Sequence, residues 1–155
     1  MAANGSLDGD ILRQPHAVEG LTTLLPVNVP LARFEHWVWI LKDKKCPKNE
    51  AALSELKPIG ILGLKYYDFA YRQSKVGFEQ VNHFDVMVKM LKLERADYTI
   101  GLDSTIAYLK KNTSIELKAC FKQPLASLNG YLYVHEKHKA LIPKLERAFK
   151  ALAEY

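Results

Sequence analysis

Hydrophobic and polar positions along the chain fall into two periods, and residues 81–112 show both most clearly. Asn82 and His83 are polar and either could cap a helix. Phe84, Met87, Val88 and Leu91 then recur at i, i+3, i+4 and i+7, one apolar face of an α-helix. Glu94-Arg95-Ala96-Asp97 breaks that pattern, and Tyr98-Thr99-Ile100-Gly101-Leu102 reads as a short, mostly buried strand. Asp103-Ser104 opens a second amphipathic helix carrying Ile106, Ala107 and Leu109. Helix, strand, polar turn, helix is the order of an α/β sheet with crossover helices. Ligands of open sheets of that kind bind beyond the carboxyl ends of strands. Asp103, expected at such an end, is the first candidate for function.

The remaining elements follow from the same patterns. Asn4-Gly5 and Asp8-Gly9 mark turns, Ile11-Leu12 is a short apolar run, and Arg13 follows at the carboxyl end of that strand. Trp37-Val38-Trp39-Ile40-Leu41 is a continuous apolar run, as in a strand buried on both faces. Residues 43–50, DKKCPKNE, are a polar turn cluster and the expected hinge; a short helix over 51–57 then leads into the strand Pro58-Ile59-Gly60-Ile61-Leu62. Gly63-Leu64-Lys65-Tyr66-Tyr67 comes next: a strand, a glycine and a helix start, which leave free backbone N–H groups suited to an anion. An ordinary βα turn with Gly63 at positive φ accounts for the same residues. Phe78 and Val81 mark another short strand, residues 115–121 alternate at period two, and residues 128–134 form a further strand. Leu141, Leu145, Ala148, Phe149 and Leu152 line one face of a closing amphipathic helix.

Composition narrows the function classes. At 155 residues, 48% apolar and 25% charged, the chain has the balance of a globular domain able to form a core without disulfide support. Its 22 basic side chains exceed its 17 acidic ones, but the lysines are dispersed, so solvated faces explain them better than a nucleic-acid surface. Cys46 and Cys120 have no metal spacing; two thiols are the favoured state, with a disulfide as the alternative for an exported protein. No stretch reaches the length of a membrane span, and Met-Ala-Ala-Asn-Gly-Ser has neither the basic start nor the apolar core of a signal peptide. No G-x-S-x-G, H-E-x-x-H or Gly-rich phosphate loop is present, so an enzyme is not expected. His135 and His138 read as a solvated loop start, and Trp37 and Trp39 as core.

The run FDVMVKMLKLERADYTIGLDSTIAYLKK resembles the second lobe of family 3 bacterial extracellular solute-binding proteins, with Glu94 where the family's turn has Gly. Neighbouring segments resemble the family in order: NGSLDGDILR over 4–13, the entry to the second lobe over 51–62, and the closing helix. The resemblance implies an α/β, type II periplasmic-binding-protein-like fold with one complete three-layer lobe and part of the other. It divides the chain into residues 1–45 (partial lobe one and crossover strand), 46–128 (complete second lobe) and 129–155 (return strand and closing helix). The family's opening β-α-β-α of lobe one has no counterpart, which implies a mature or shortened chain with apolar surface left exposed.

By resemblance the chain is a solute-binding module of an amino-acid ABC transporter, periplasmic, without catalysis, cofactor or metal. The partners implied are an amino acid or organic acid and a membrane permease. The alternative is a remnant of the fold used for protein contacts. Asp103 matches the acidic residue that meets a ligand ammonium, and Leu64, Lys65 and Tyr66 match the helix-start contacts. Arg13 lies near the family's carboxylate clamp, whose threonine is missing. Asp103 serves equally as the cap of the Ser104 helix. A homodimer is expected, because in the resembled fold the Trp-rich crossover strand packs on elements this chain lacks and would be left at an open sheet edge.

Overall fold

The computed structural model describes residues 1–65, 67 and 77–153, and the chain divides into two compact units, Met1–Phe34 with Leu128–Tyr155, and Glu35–Ser127. Two strands, β3 (Ala32–Leu41) and β8 (Ala126–His135), run from one unit into the other.

In the first unit β8 is flanked by two antiparallel strands. β1 (Gly9–Arg13) pairs at Gly9↔Val134, Asp10↔Tyr133 and Arg13↔Tyr131, with a register shift where Leu12 adopts φ 61°. β2 (Leu24–Pro26) pairs at Leu24↔His135, Leu25↔Val134 and Pro26↔Tyr133. Ala2, Leu24 and Tyr133 form a small buried cluster, and Val27, Val29 and Val134 are buried nearby in the chain. The closing helix, α3 (Ile142–Ala153), follows a 3-10 turn over Glu136–Leu141. Its apolar stripe is the one the sequence shows, yet none of its described residues is fully buried and Leu152 is 71% exposed. An open groove of about 430 Å³ in this unit is lined by Ile11, Leu132, Val134 and Leu141 below Asp8 and His138.

The second unit holds the larger core. β4 (Pro58–Ile61), β5 (Glu79–Val81) and β6 (Tyr98–Gly101) run parallel, β4 pairing with both of the others. β3 runs antiparallel to β6 on one side and to the short β7 (Leu117–Ala119) on the other. Helices α1 (Phe84–Lys92) and α2 (Asp103–Thr113) bury Met87, Val88 and Leu91, and Ile106 and Leu109. These residues join Val38, Ile40, Ile59, Tyr98 and Ile100 in one cluster. Glycine is required at position 60, because a Cβ there would lie 2.6 Å from the Tyr67 ring.

Three expectations change. β3 is not an open edge: β6 and β7 pair with it on both sides, and Val38, Trp39 and Ile40 are buried. The argument for a homodimer through this strand therefore falls, because its backbone groups are already bonded. Cys46 and Cys120 form a disulfide with Cα atoms 5.2 Å apart, so they are not thiols. Residues 43–50 lie inside the second unit, tied down by that disulfide and by the Lys44–Glu94 ion pair at 2.8 Å, whereas the chain passes between units at Phe34–Glu35. Polarity marked residues 43–50 as a hinge, and polarity does not reveal a covalent tie.

Candidate functional site

β4 pairs with β5 at Ile61↔Val81 and with β6 at Ile59↔Thr99. Parallel strands in that register end together, so Ile61, Val81 and Gly101 deliver their turns to one edge of the second unit. After β4, the Leu62 amide donates to the Val81 carbonyl at 2.9 Å, and Gly63 turns the chain at φ 83°. The Leu64 amide donates to the Ile61 carbonyl at 3.3 Å, and the Tyr67 amide closes a helical turn on the Leu64 carbonyl at 2.9 Å. Leu64 packs on the core while Lys65 is exposed. After β5, His83 takes the N-cap position of α1 without a side-chain cap bond. After β6, Leu102 is the N-cap of α2 and likewise offers no side-chain acceptor. The first-turn N–H groups of both helices therefore lack side-chain caps.

Asp103 is the first residue of α2, not its cap, which corrects the capping reading. Its carboxylate is exposed and, among the described residues, makes no hydrogen bond or ion pair. The positive end of the helix dipole favours a carboxylate there. Leu64, Lys65 and Asp103 are thus on one edge of one unit. Tyr66 lies outside the described residues. Arg13 belongs to the first unit, where it ends β1 and its Nε is 2.7 Å from Asp10 Oδ2 in a solvent-exposed pair.

The sequence did not single out the tryptophans for this edge. β3 runs against β6 with Trp37↔Gly101 and Trp39↔Thr99, so Trp37 lies level with the last residue before the Asp103 turn. The Trp39 indole N–H donates to the Gly101 carbonyl at 3.1 Å, and the Lys110 ammonium lies 5.5 Å above its ring. The Trp37 indole N–H is buried and, among the described residues, has no acceptor. A pairing between residues more than sixty positions apart leaves no local signal in the sequence.

His135 and His138 have structural partners. His138 Nε2 is 2.7 Å and Lys137 Nζ 2.9 Å from Asp8 Oδ1, and these two contacts, His138 first, lower the Asp8 pKa to about 2. His135 Nδ1 accepts from the Lys137 amide at 3.3 Å as the cap of its 3-10 turn. Among the described residues no three His, Cys, Asp or Glu side chains group to hold a metal ion. No described helix is long and apolar enough to cross a membrane.

No family model matches the chain, and no curated protein is similar to it in sequence. Solved structures are similar to it in three dimensions. The probable amino-acid ABC transporter extracellular-binding protein ytmK from Bacillus subtilis superposes with a TM-score of 0.78 at 15% identity, over 99% of this chain and 68% of that one. Holo ArgBP from T. maritima gives 0.70 at 17% identity, over 98% and 66%. The arginine-, lysine-, histidine-binding protein ArtJ from Geobacillus stearothermophilus gives 0.68 at 15% identity, over 99% and 67%. The chain spans about two thirds of the length of each. With nearly all of this mixed α/β chain superposed on these structures, it has the fold of the amino-acid ABC transporter extracellular binding proteins, the type II periplasmic-binding-protein fold.

Proposed function

We propose that the chain is a solute-binding module for a small polar solute with an ammonium group, an amino acid being the type case, and that it carries out no catalytic step. The observation that carries this reading is Asp103: an exposed, unpaired carboxylate level with the Gly63–Lys65 helix start. A carboxylate of that kind meets an ammonium group, and the first-turn N–H groups of α1 and α2, which lack side-chain caps, suit a carboxylate. Leu64 and Lys65 supply helix-start contacts on the same edge. The names of similar structures, an amino-acid ABC transporter binding protein and arginine-binding proteins, support the same ligand class and a membrane permease as partner. The Cys46–Cys120 bridge supports an oxidising, extracytoplasmic location.

A thermal-shift screen against the amino acids and small organic acids at millimolar concentration tests the proposal, since a ligand bound by the native state raises its stability. At least one amino acid is expected to raise Tm, and Asp103→Asn to weaken its binding by about tenfold, the worth of one charge-assisted hydrogen bond. A second reading, a remnant used for protein contacts, is favoured by the exposed apolar side chains of the first unit, Ile11, Leu141 and Leu152. No shift with any compound, together with self-association in light scattering, would support it instead.

A further inference from the structure

Two indoles stand two residues apart on β3, and the fold treats them differently. Trp39 is 7% exposed and its N–H has an acceptor in the Gly101 carbonyl. Trp37 is only partly buried, yet its N–H is sequestered with no acceptor among the described residues. Buried donors are bonded in the large majority of cases, because leaving one unmet forfeits its hydration without return. An orphan donor thus calls for a specific explanation, and its position supplies one. Trp37 pairs with Gly101, two residues before Asp103 and on the edge where the Gly63 turn and the α2 start also lie.

We infer that Trp37 is a further solute-binding residue, its indole N–H donating to an oxygen of the solute whose ammonium meets Asp103; this rests on the binding function proposed above. A donor at one end and a carboxylate at the other define a zwitterionic or hydroxylated solute, and they select against amines that carry no oxygen acceptor. A bound oxygen also satisfies the donor that the described residues leave unmet, so solute binding and native-state stability reinforce each other at this residue.

Trp37→Phe keeps an aromatic ring against the core while removing the N–H together with the rest of the five-membered ring, so binding and stability are read separately. Isothermal titration of the full chain with the amino acid that gives the largest thermal shift is expected to show affinity about tenfold weaker in Trp37→Phe. The Tm of that variant without solute should stay close to that of the parent, since deleting an unmet donor offsets part of the packing lost with the ring. A merely structural tryptophan predicts the reverse split: lower Tm with unchanged affinity. As a second measurement, Trp39→Phe leaves Trp37 as the sole emitter of the two tryptophans. Its fluorescence should then change along the same saturation curve as the calorimetry. Unchanged affinity in Trp37→Phe, or a solute-insensitive Trp37 emission, overturns the inference while leaving the binding function intact. Absence of binding by the parent chain overturns both.

Discussion

Glu94 shows how one side chain can hold a backbone conformation that does not suit it. It ends α1 in the left-handed region at φ 56°, where a Cβ meets its own carbonyl and costs roughly 1–2 kcal/mol. Its return is an ion pair to Lys44 at 2.8 Å, which also raises the Lys44 pKa. That pair is solvent-exposed, and exposed pairs contribute little because water and salt screen them. The strain outweighs the ion pair on these magnitudes. Glu94→Gly should therefore raise stability by about 0.5–1 kcal/mol in urea unfolding, whereas Glu94→Ala, which keeps the Cβ and loses the pair, should lower it. Equal midpoints for the two variants would remove the backbone explanation.

Among the elements, β7 is the least secured by its own residues. It is three residues long and pairs with β3 alone, at Trp39↔Ala119, Ile40↔Lys118 and Leu41↔Leu117. The Cys46–Cys120 bridge follows directly after it and ties it to the turn leaving β3. Closing a loop across 74 positions restricts the unfolded chain strongly, and bridges of this kind typically contribute about 2–4 kcal/mol. Reduction by a dithiol, or Cys46→Ser with Cys120→Ser, is expected to lower stability by about that amount. Protease cleavage should then begin within residues 43–50 and 116–125. A reduced chain with unaltered unfolding midpoint and cleavage pattern would show that pairing alone holds β7. The bridge was the element-scale feature least legible in the sequence. Two cysteines with no framework spacing fix no pairing, and only the folding of β7 against β3 brings them within reach.

At the scale of the whole molecule the buried apolar residues are shared unequally. The second unit packs its sheet and both helices into one cluster that includes Ile59, Met87, Leu91, Tyr98, Ile106 and Leu109. The first unit buries Ala2, Leu24 and Tyr133 together, while α3 contributes no fully buried described residue. Local stability follows buried apolar contact, so the units should not be equally protected. Amide hydrogen exchange is expected to be slowest in β4, β6 and α1, and faster by orders of magnitude in α3. Equal protection of α1 and α3 would mean that the amphipathic face of α3 is covered in solution.

What the sequence determined by itself was periodic and local. The 3.6-residue spacing of Phe84, Met87, Val88 and Leu91, and the apolar runs over 37–41 and 98–102, specified α1, β3 and β6, because burial of a face acts on each turn or pair of residues separately. Gly63 announced its turn, since few other residues accept φ 83° without strain. Asp103 was legible as the polar residue after a buried strand. What only the tertiary structure decided were relations between residues far apart in the chain. These are the antiparallel register that sets Trp37 against Gly101, the pairing of β3 on both sides, and the Cys46–Cys120 bridge. The half-covered amphipathic face of α3 belongs with them, since a hydrophobic stripe states that a helix can be buried but not against what. Such relations depend on which strands become neighbours, and the free energy that selects neighbours is a property of the whole packed core.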